Sequence, residues 1–225
     1  MALPALVYAS CVVLAVFLPA VYVHAHTHRF SAFHAAVSLF HAINVLICLW
    51  ENGLYLCRDA IKKEYARLKK THGKALPADG ALFRACTLKQ ALSLEYWACL
   101  IWSTYSLLDP SYSDATTFGF WIDTGNGVSM PIPSLIFLYG MTFDMAHLSA
   151  RSVGTIALVA NWQMLYGTLL YFSSYVHNRR YLGCSFVSVL IVVFANGLWL
   201  AGPAASMYVG WAAVRDGSFQ ELRRT

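Results

Sequence analysis

Long apolar runs separated by short polar segments dominate the chain. These runs cover about residues 3–24, 33–57, 131–150, 153–175 and 184–213. A helix that crosses a membrane needs about 20 predominantly apolar residues, and each run is long enough to supply one. The pattern therefore predicts an all-α, multi-pass transmembrane helical bundle that forms a single integral membrane domain over residues 1–225.

The segment 88–108 leaves the number of spans open between five and six. Its uninterrupted apolar part after Glu95 is about 13 residues long, which is short for a span. Trp97 and Trp102 are typical of a helix that lies in the membrane interface. Counting the segment as a span places more of the Lys and Arg residues on one side of the membrane, which favours six.

Polar residues gather in two connecting segments. A basic loop over about residues 58–90 holds much of the net charge of +5, and the positive-inside rule places it on the cytoplasmic side. Residues 109–130 are polar and contain glycine, so we expect a link, with Asp123 and Asn126 near a membrane entry.

Composition excludes several function classes. The chain is 58% hydrophobic and 12% charged, whereas soluble domains are about 25% charged. The net charge is small and concentrated in one loop, so it indicates how the chain is oriented in the membrane. No nucleic-acid partner is therefore expected. The three alternating histidines His24, His26 and His28 are interpreted as an interfacial loop, and we expect no metal and no cofactor.

Glu51 is the strongest functional candidate, because it interrupts the second apolar run. At about 100° per residue, Asn44, Cys48 and Glu51 fall on one wedge of a helix, with His41 near its edge. A carboxyl group in hydrocarbon is costly, so this wedge should face a protein interior, a cavity or a partner. The alternative is a structural carboxyl group that ties two helices together.

The last two apolar runs resemble the EXPERA family. The likeness lies in Gln163-Met-Leu-Tyr166-Gly-Thr-Leu-Leu-Tyr171-Phe172 and in Phe194-Ala-Asn196-Gly-Leu-Trp199-Leu-Ala-Gly-Pro203. Weaker likenesses are Ile101-Trp102-Ser-Thr-Tyr105 with Asp109 and Tyr112, and Leu49-Trp50-Glu51-Asn-Gly-Leu-Tyr55. The resemblance covers about residues 38–212.

This resemblance implies a helical bundle whose cavity opens to the membrane and binds a sterol or a related polycyclic lipid. It also implies sterol double-bond isomerisation, of the Δ8–Δ7 type, by acid/base chemistry. Glu51 and Asn196 would then be the catalytic residues. The predicted lipid-binding residues are Trp50, Asn44, Tyr166 and Trp199, and the predicted proton relay is His41, Asp144 and His147.

Departures from the family pattern keep two alternatives open. Ile47 stands where the isomerases have a histidine, and no glutamate lies near Val128, where they have a second one. A non-catalytic accessory subunit of a large membrane complex would tolerate both losses. Trp50-Glu51 with Tyr55 also resembles the membrane-bound terpenoid cyclases of fungal pathways, which start cation chemistry from a buried acid.

Location and partners follow from these interpretations. The expected location is the endoplasmic reticulum membrane, with the mitochondrial inner membrane as the alternative. The expected partners are a membrane lipid or sterol and other membrane subunits.

Overall fold

The computed structural model describes residues 2–143 and 147–222, and these fold mainly into helices. The helices are α1 (Ala5–Thr27), α2 (Ala32–Leu56), α3 (Arg58–His72), α4 (Leu88–Ala91), α5 (Leu94–Ala98), α6 (Phe118–Ser129), α7 (Pro131–Thr142), α8 (Ala150–His177) and α9 (Phe186–Asp216). Two short strands, β1 (Ala2–Pro4) and β2 (Ala85–Thr87), pair antiparallel with Leu3 opposite Cys86. The all-α class predicted from the sequence is confirmed.

Four helices in the described part of the chain are long and apolar enough to cross a membrane, namely α1, α2, α8 and α9. They have 23, 25, 28 and 31 residues, so each can traverse about 30 Å of hydrocarbon. Their bounds agree with four of the predicted apolar runs. The chain therefore has the composition and helix lengths of a multi-pass membrane protein.

Three segments differ from the sequence-based expectation. In the expected span 131–150, the described helix α7 ends at Thr142 after 12 residues. Residues 88–108 hold two short helices and a π-helical segment, Cys99–Ser103, and no helix of spanning length. The expected link 109–130 contains the helix α6, and Gly127 of this helix lies directly against α2.

The chain divides into two compact units, and a single integral membrane domain over residues 1–225 stays a prediction. Unit 1 comprises Met1–Ser10, Ile47–Val128 and Leu169–Asn196, and unit 2 comprises Cys11–Leu46, Ser129–Thr168 and Gly197–Thr225. Unit 1 contains the candidate acid Glu51, and unit 2 contains the predicted lipid-binding residues Asn44, Tyr166 and Trp199.

Unit 1 is held together by side chains that bond to backbone groups of neighbouring segments. The indole nitrogen of Trp102 donates to the Trp50 carbonyl at 2.7 Å, and the Ser103 hydroxyl donates to the Ile61 carbonyl at 3.2 Å. Both donors belong to the π-helical segment, a feature that often accompanies functional sites. These bonds fix that segment against α2 and α3.

Unit 2 has an apolar core and a close contact between two helices. The core includes Val37, Phe137, Val153 and Val209, all at most 2% exposed. A methyl group on Gly154 would lie 2.5 Å from the Gly210 carbonyl oxygen, so α8 and α9 touch there backbone to backbone.

Candidate functional site

The predicted polar wedge of α2 faces the protein interior. Asn44, Cys48 and Glu51 are 1%, 0% and 3% exposed, and His41 is 1% exposed. The period of the helix was therefore sufficient to identify the buried face. Within unit 1 this leaves the Glu51 carboxyl group enclosed by protein.

Helix α6 packs directly on α2 beside Glu51. A methyl group on Gly127 would lie 2.7 Å from the Glu51 Cβ and 2.8 Å from the Asn52 amide nitrogen. Only glycine allows so close an approach. The Asn52 side-chain amide also donates to the Gly127 carbonyl at 2.7 Å, and the Cys48 thiol donates to the Asn126 carbonyl at 3.8 Å.

Asp123 is the second acid of the site. It precedes Gly127 by four residues, so both lie on the face of α6 that meets α2. Its carboxyl group interacts electrostatically with that of Glu51, and Tyr112 is its hydrogen-bonding neighbour. Asp123 was absent from the predicted site because its segment was interpreted as a link. The signal that could have found it is the four-residue spacing of Asp123 and Gly127.

Three buried polar atoms of α2 and α6 have no hydrogen-bond partner within residues 2–143 and 147–222. They are His41 Nδ1 and Glu51 Oε2 on α2 and Thr124 Oγ1 on α6. More than nine in ten buried polar groups in proteins are paired, so each exception needs an explanation. A carboxyl oxygen without a partner can give or take a proton at a bound ligand.

Stacked aromatic rings support this acidic site. Trp50 packs against Trp97 at 5.2 Å between ring centroids, and Trp102 packs against Tyr112 at 5.2 Å. Trp50 was predicted as a lipid-binding wall, and the structure places its ring in this stack, 6% exposed. The stacks position Tyr112, and through it Asp123.

Asn196, the second predicted catalytic residue, bonds to a tyrosine. Its side-chain amide donates to the Tyr105 hydroxyl at 2.7 Å and to the Val192 carbonyl at 2.8 Å. The hydroxyls of Tyr105 and Tyr171 are hydrogen-bonding neighbours. Residues that carry the EXPERA resemblance, Tyr105, Tyr171 and Asn196, therefore meet within unit 1.

Asp109 anchors this tyrosine cluster. It is fully buried, and its Oδ2 accepts from the Tyr171 hydroxyl at 2.9 Å and from Arg180 Nη1 at 3.4 Å. Its Oδ1 accepts from the Ser111 amide at 3.0 Å, which starts the 3₁₀ turn Pro110–Ser113. The sequence analysis named Asp109 only as part of the resemblance to the EXPERA family and did not predict it as a site residue.

Three predicted site residues make polar contacts within unit 2. The Trp199 indole donates to Asn44 Oδ1 at 2.9 Å, and Asn44 Nδ2 donates to the Ser134 hydroxyl at 3.0 Å. His41 Nε2 lies 3.0 Å from the Ser206 hydroxyl. Asn44 and Trp199, both predicted to bind the ligand, are thus joined directly.

The remaining predicted residues lie apart from these groups. Tyr166 is 50% exposed and stacks on Trp162. His147 is exposed, and Asp144 lies outside the described residues. Among the residues that the structure describes, no group of three or more His, Cys, Asp or Glu side chains could hold a metal ion.

Comparison with known proteins adds no relative, because no protein-family model, no curated protein and no solved structure matches this chain. The class of protein therefore rests on the four long apolar helices. The chain is classed as an α-helical membrane protein with a buried carboxyl group, Glu51, and its EXPERA membership stays a prediction.

Proposed function

We propose that this protein binds a sterol or a related polycyclic lipid in the membrane and isomerises a double bond by acid/base chemistry at Glu51. The observation that carries the proposal is a buried carboxyl oxygen, Glu51 Oε2, without a protein partner and beside a second acid, Asp123. The proposed location is the endoplasmic reticulum membrane, where sterol chemistry takes place, with the mitochondrial inner membrane as the alternative.

The two carboxyl groups suffice for the reaction. Glu51 in its acid form gives a proton to one carbon of the double bond, which leaves a carbocation on the other carbon. Asp123 as a carboxylate removes a proton from the neighbouring carbon, so that the double bond forms one position further along. A proton then passes from Asp123 to Glu51 and restores the starting state.

The test is conversion of a Δ8-sterol by the purified full chain in detergent with lipid. We expect turnover by the wild type, loss of at least 100-fold in the Glu51→Gln variant, and a comparable loss in Asp123→Asn. Glu95→Gln is the matched control, since Glu95 is exposed and lies on α5 of the same unit. No turnover by the wild type, with no sterol retained on purification, would remove this proposal.

A non-catalytic subunit of a larger membrane complex is the second candidate. The most apolar windows of α1 and α9 are only 11% and 17% buried, against 50% and 44% for α2 and α8. Such broad apolar faces suit lipid or partner helices. Under this alternative, the chain extracted from its native membrane in mild detergent runs as part of a larger complex, and Glu51→Gln changes no turnover.

The proposed bundle has five spans, with α6 and α7 supplying the fifth crossing. In unit 1, Lys74 of the basic loop donates to the carbonyls of Leu182 and Arg180, in the connection between α8 and α9. Two loops in contact lie on one side of the membrane. Because α8 crosses once between them, a second crossing is needed between Leu56 and Ala150. Residues 118–142, which hold α6 and α7, are the proposed crossing within that interval.

A further inference from the structure

A groove in unit 1 lies between α3 and the segment 110–116. Its volume is about 680 Å³, within the range of sites that enclose small ligands. On the α3 side the groove is lined by Arg58, Lys62 and Lys69, and the facing segment contributes Asp114 and Thr116. The floor includes Phe120, which is 1% exposed.

The three cations share this groove because of their spacing. Lys62 follows Arg58 by four residues and Lys69 follows Lys62 by seven, so one face of α3 presents all three. Lys63 and Lys70 belong to the same basic helix but do not line the groove. The structure therefore separates two sets of lysines that the sequence presents as one basic loop.

The positive charge of the groove is not neutralised by direct ion pairs. Elsewhere in the described part of the chain, four arginines pair with carboxylates, namely Arg67, Arg84, Arg180 and Arg215. Arg58, Lys62 and Lys69 form no such pair among the described residues. The Arg58 guanidinium lies 4.9 Å from the centre of the Tyr55 ring, and the Lys69 ammonium 5.5 Å from that of Tyr65.

The carboxylates of the groove do not outweigh these cations. Asp114 accepts from the Thr116 hydroxyl at 2.7 Å and from its amide at 2.9 Å. These hydrogen bonds hold the pKa of Asp114 below its ordinary value, so it is charged at neutral pH but already bonded. Asp59 is the second acid of the lining, and three cations face the two acids.

The groove begins where a candidate membrane helix ends. Helix α2 ends at Leu56, and Arg58 starts α3. Beside this junction Tyr55 and Trp121 pack at 5.7 Å between ring centroids and are 41% and 51% exposed. Exposed tyrosine and tryptophan at a span end are typical of headgroup depth. A phospholipid headgroup is therefore within reach of the three cations.

We propose that the groove between α3 and residues 110–116 binds the phosphate of an anionic phospholipid headgroup. Lysine binds phosphate as a point charge, and Arg58 adds a planar donor at the membrane end. The site is independent of Glu51 and of any reaction there. It would hold α3 against the membrane surface through a specific lipid as well as through diffuse attraction.

The experiment titrates the full-length protein in detergent with phosphatidic acid and counts bound lipids by native mass spectrometry. Three proteins are compared: the wild type, K62Q/K69Q, and the control K63Q/K70Q, which loses the same charge from the same helix outside the groove. We expect the control to bind like the wild type, and K62Q/K69Q to bind more weakly by about 5-fold for each lysine removed. K62R/K69R should restore binding.

Three outcomes would overturn the proposal. Equal weakening in both double variants would mean diffuse attraction to the whole of α3, and no weakening in either would mean that the groove binds no anion. Complete displacement of phosphatidic acid by millimolar inorganic phosphate would make the ligand a free anion instead of a lipid. Phosphatidylcholine, which has no net charge, should bind wild type and variants alike.

Discussion

At Tyr171, one hydroxyl group joins two segments of unit 1. The ring is 2% exposed, and the hydroxyl donates to the fully buried Asp109. In the sequence analysis this tyrosine appears only within the motif that resembles the EXPERA family, because a hydroxyl in an apolar run shows nothing of its partner. The contact explains why a tyrosine stands here instead of a phenylalanine: a buried carboxylate needs donors.

Replacing Tyr171 by phenylalanine should destabilise the protein by about 2 kcal/mol, since a hydrogen bond to a charged group is lost while the ring remains. Tyr166→Phe is the control, because Tyr166 lies on the same helix and is 50% exposed. Thermal unfolding in detergent measures both. An equal effect of the two changes would mean that the Asp109 contact contributes nothing.

Among the helices, α6 determines which acidic groups lie at the site. It brings Asp123 to the side of Glu51, and Gly127 makes this approach feasible because no side chain intervenes. Glycine lowers helix propensity, so the sequence pattern suggested a link. Packing against α2 outweighs that local preference. The same logic applies to α8 and α9 at Gly154 and Gly210.

A methyl group introduced by Gly127→Ala should push α6 away from α2. We expect a loss of about 1–3 kcal/mol in stability, because the backbone of Asn52 cannot yield as a side chain would. Gly125→Ala is the matched control, since nothing lies within 4 Å of a methyl group there. Its helix propensity predicts no loss. The measurement is thermal unfolding of the two variants. A larger loss of stability in Gly125→Ala than in Gly127→Ala would contradict the prediction.

Loss of the contact between α6 and α2 should also reduce sterol conversion. If Glu51 and Asp123 act as a pair, Gly127→Ala reduces sterol conversion by more than its loss of folded protein, because it separates the two acids. The measurement is turnover per folded molecule at a temperature where both variants remain folded. Unchanged turnover would show that the distance between the acids does not matter.

For the whole molecule, the number of membrane crossings decides which loops share a side. The contact of Lys74 with the connection between α8 and α9 supports five crossings, although four described helices have spanning length on their own. With five, the basic loop and Arg179 lie on one side of the membrane, in keeping with the positive-inside rule.

Cysteine labelling in sealed vesicles tests this topology. Five spans predict that Lys70→Cys and Asn178→Cys react with an impermeant maleimide from the same side, and that Leu148→Cys reacts from the other. Four spans instead place residues 70 and 148 together. The unsubstituted chain supplies the background, since its cysteines include buried Cys48 and Cys86 and exposed Cys11.

The sequence by itself determined the class of protein, four long helices and the buried face of α2. Hydrophobic run length and helical period carry that information, because each depends on residues close in the chain. Only the tertiary structure shows that Asp123 interacts electrostatically with Glu51, that Asn196 bonds to Tyr105, and that Lys62 and not Lys63 lines a groove. Those pairings join residues far apart in the chain, so no local pattern encodes them.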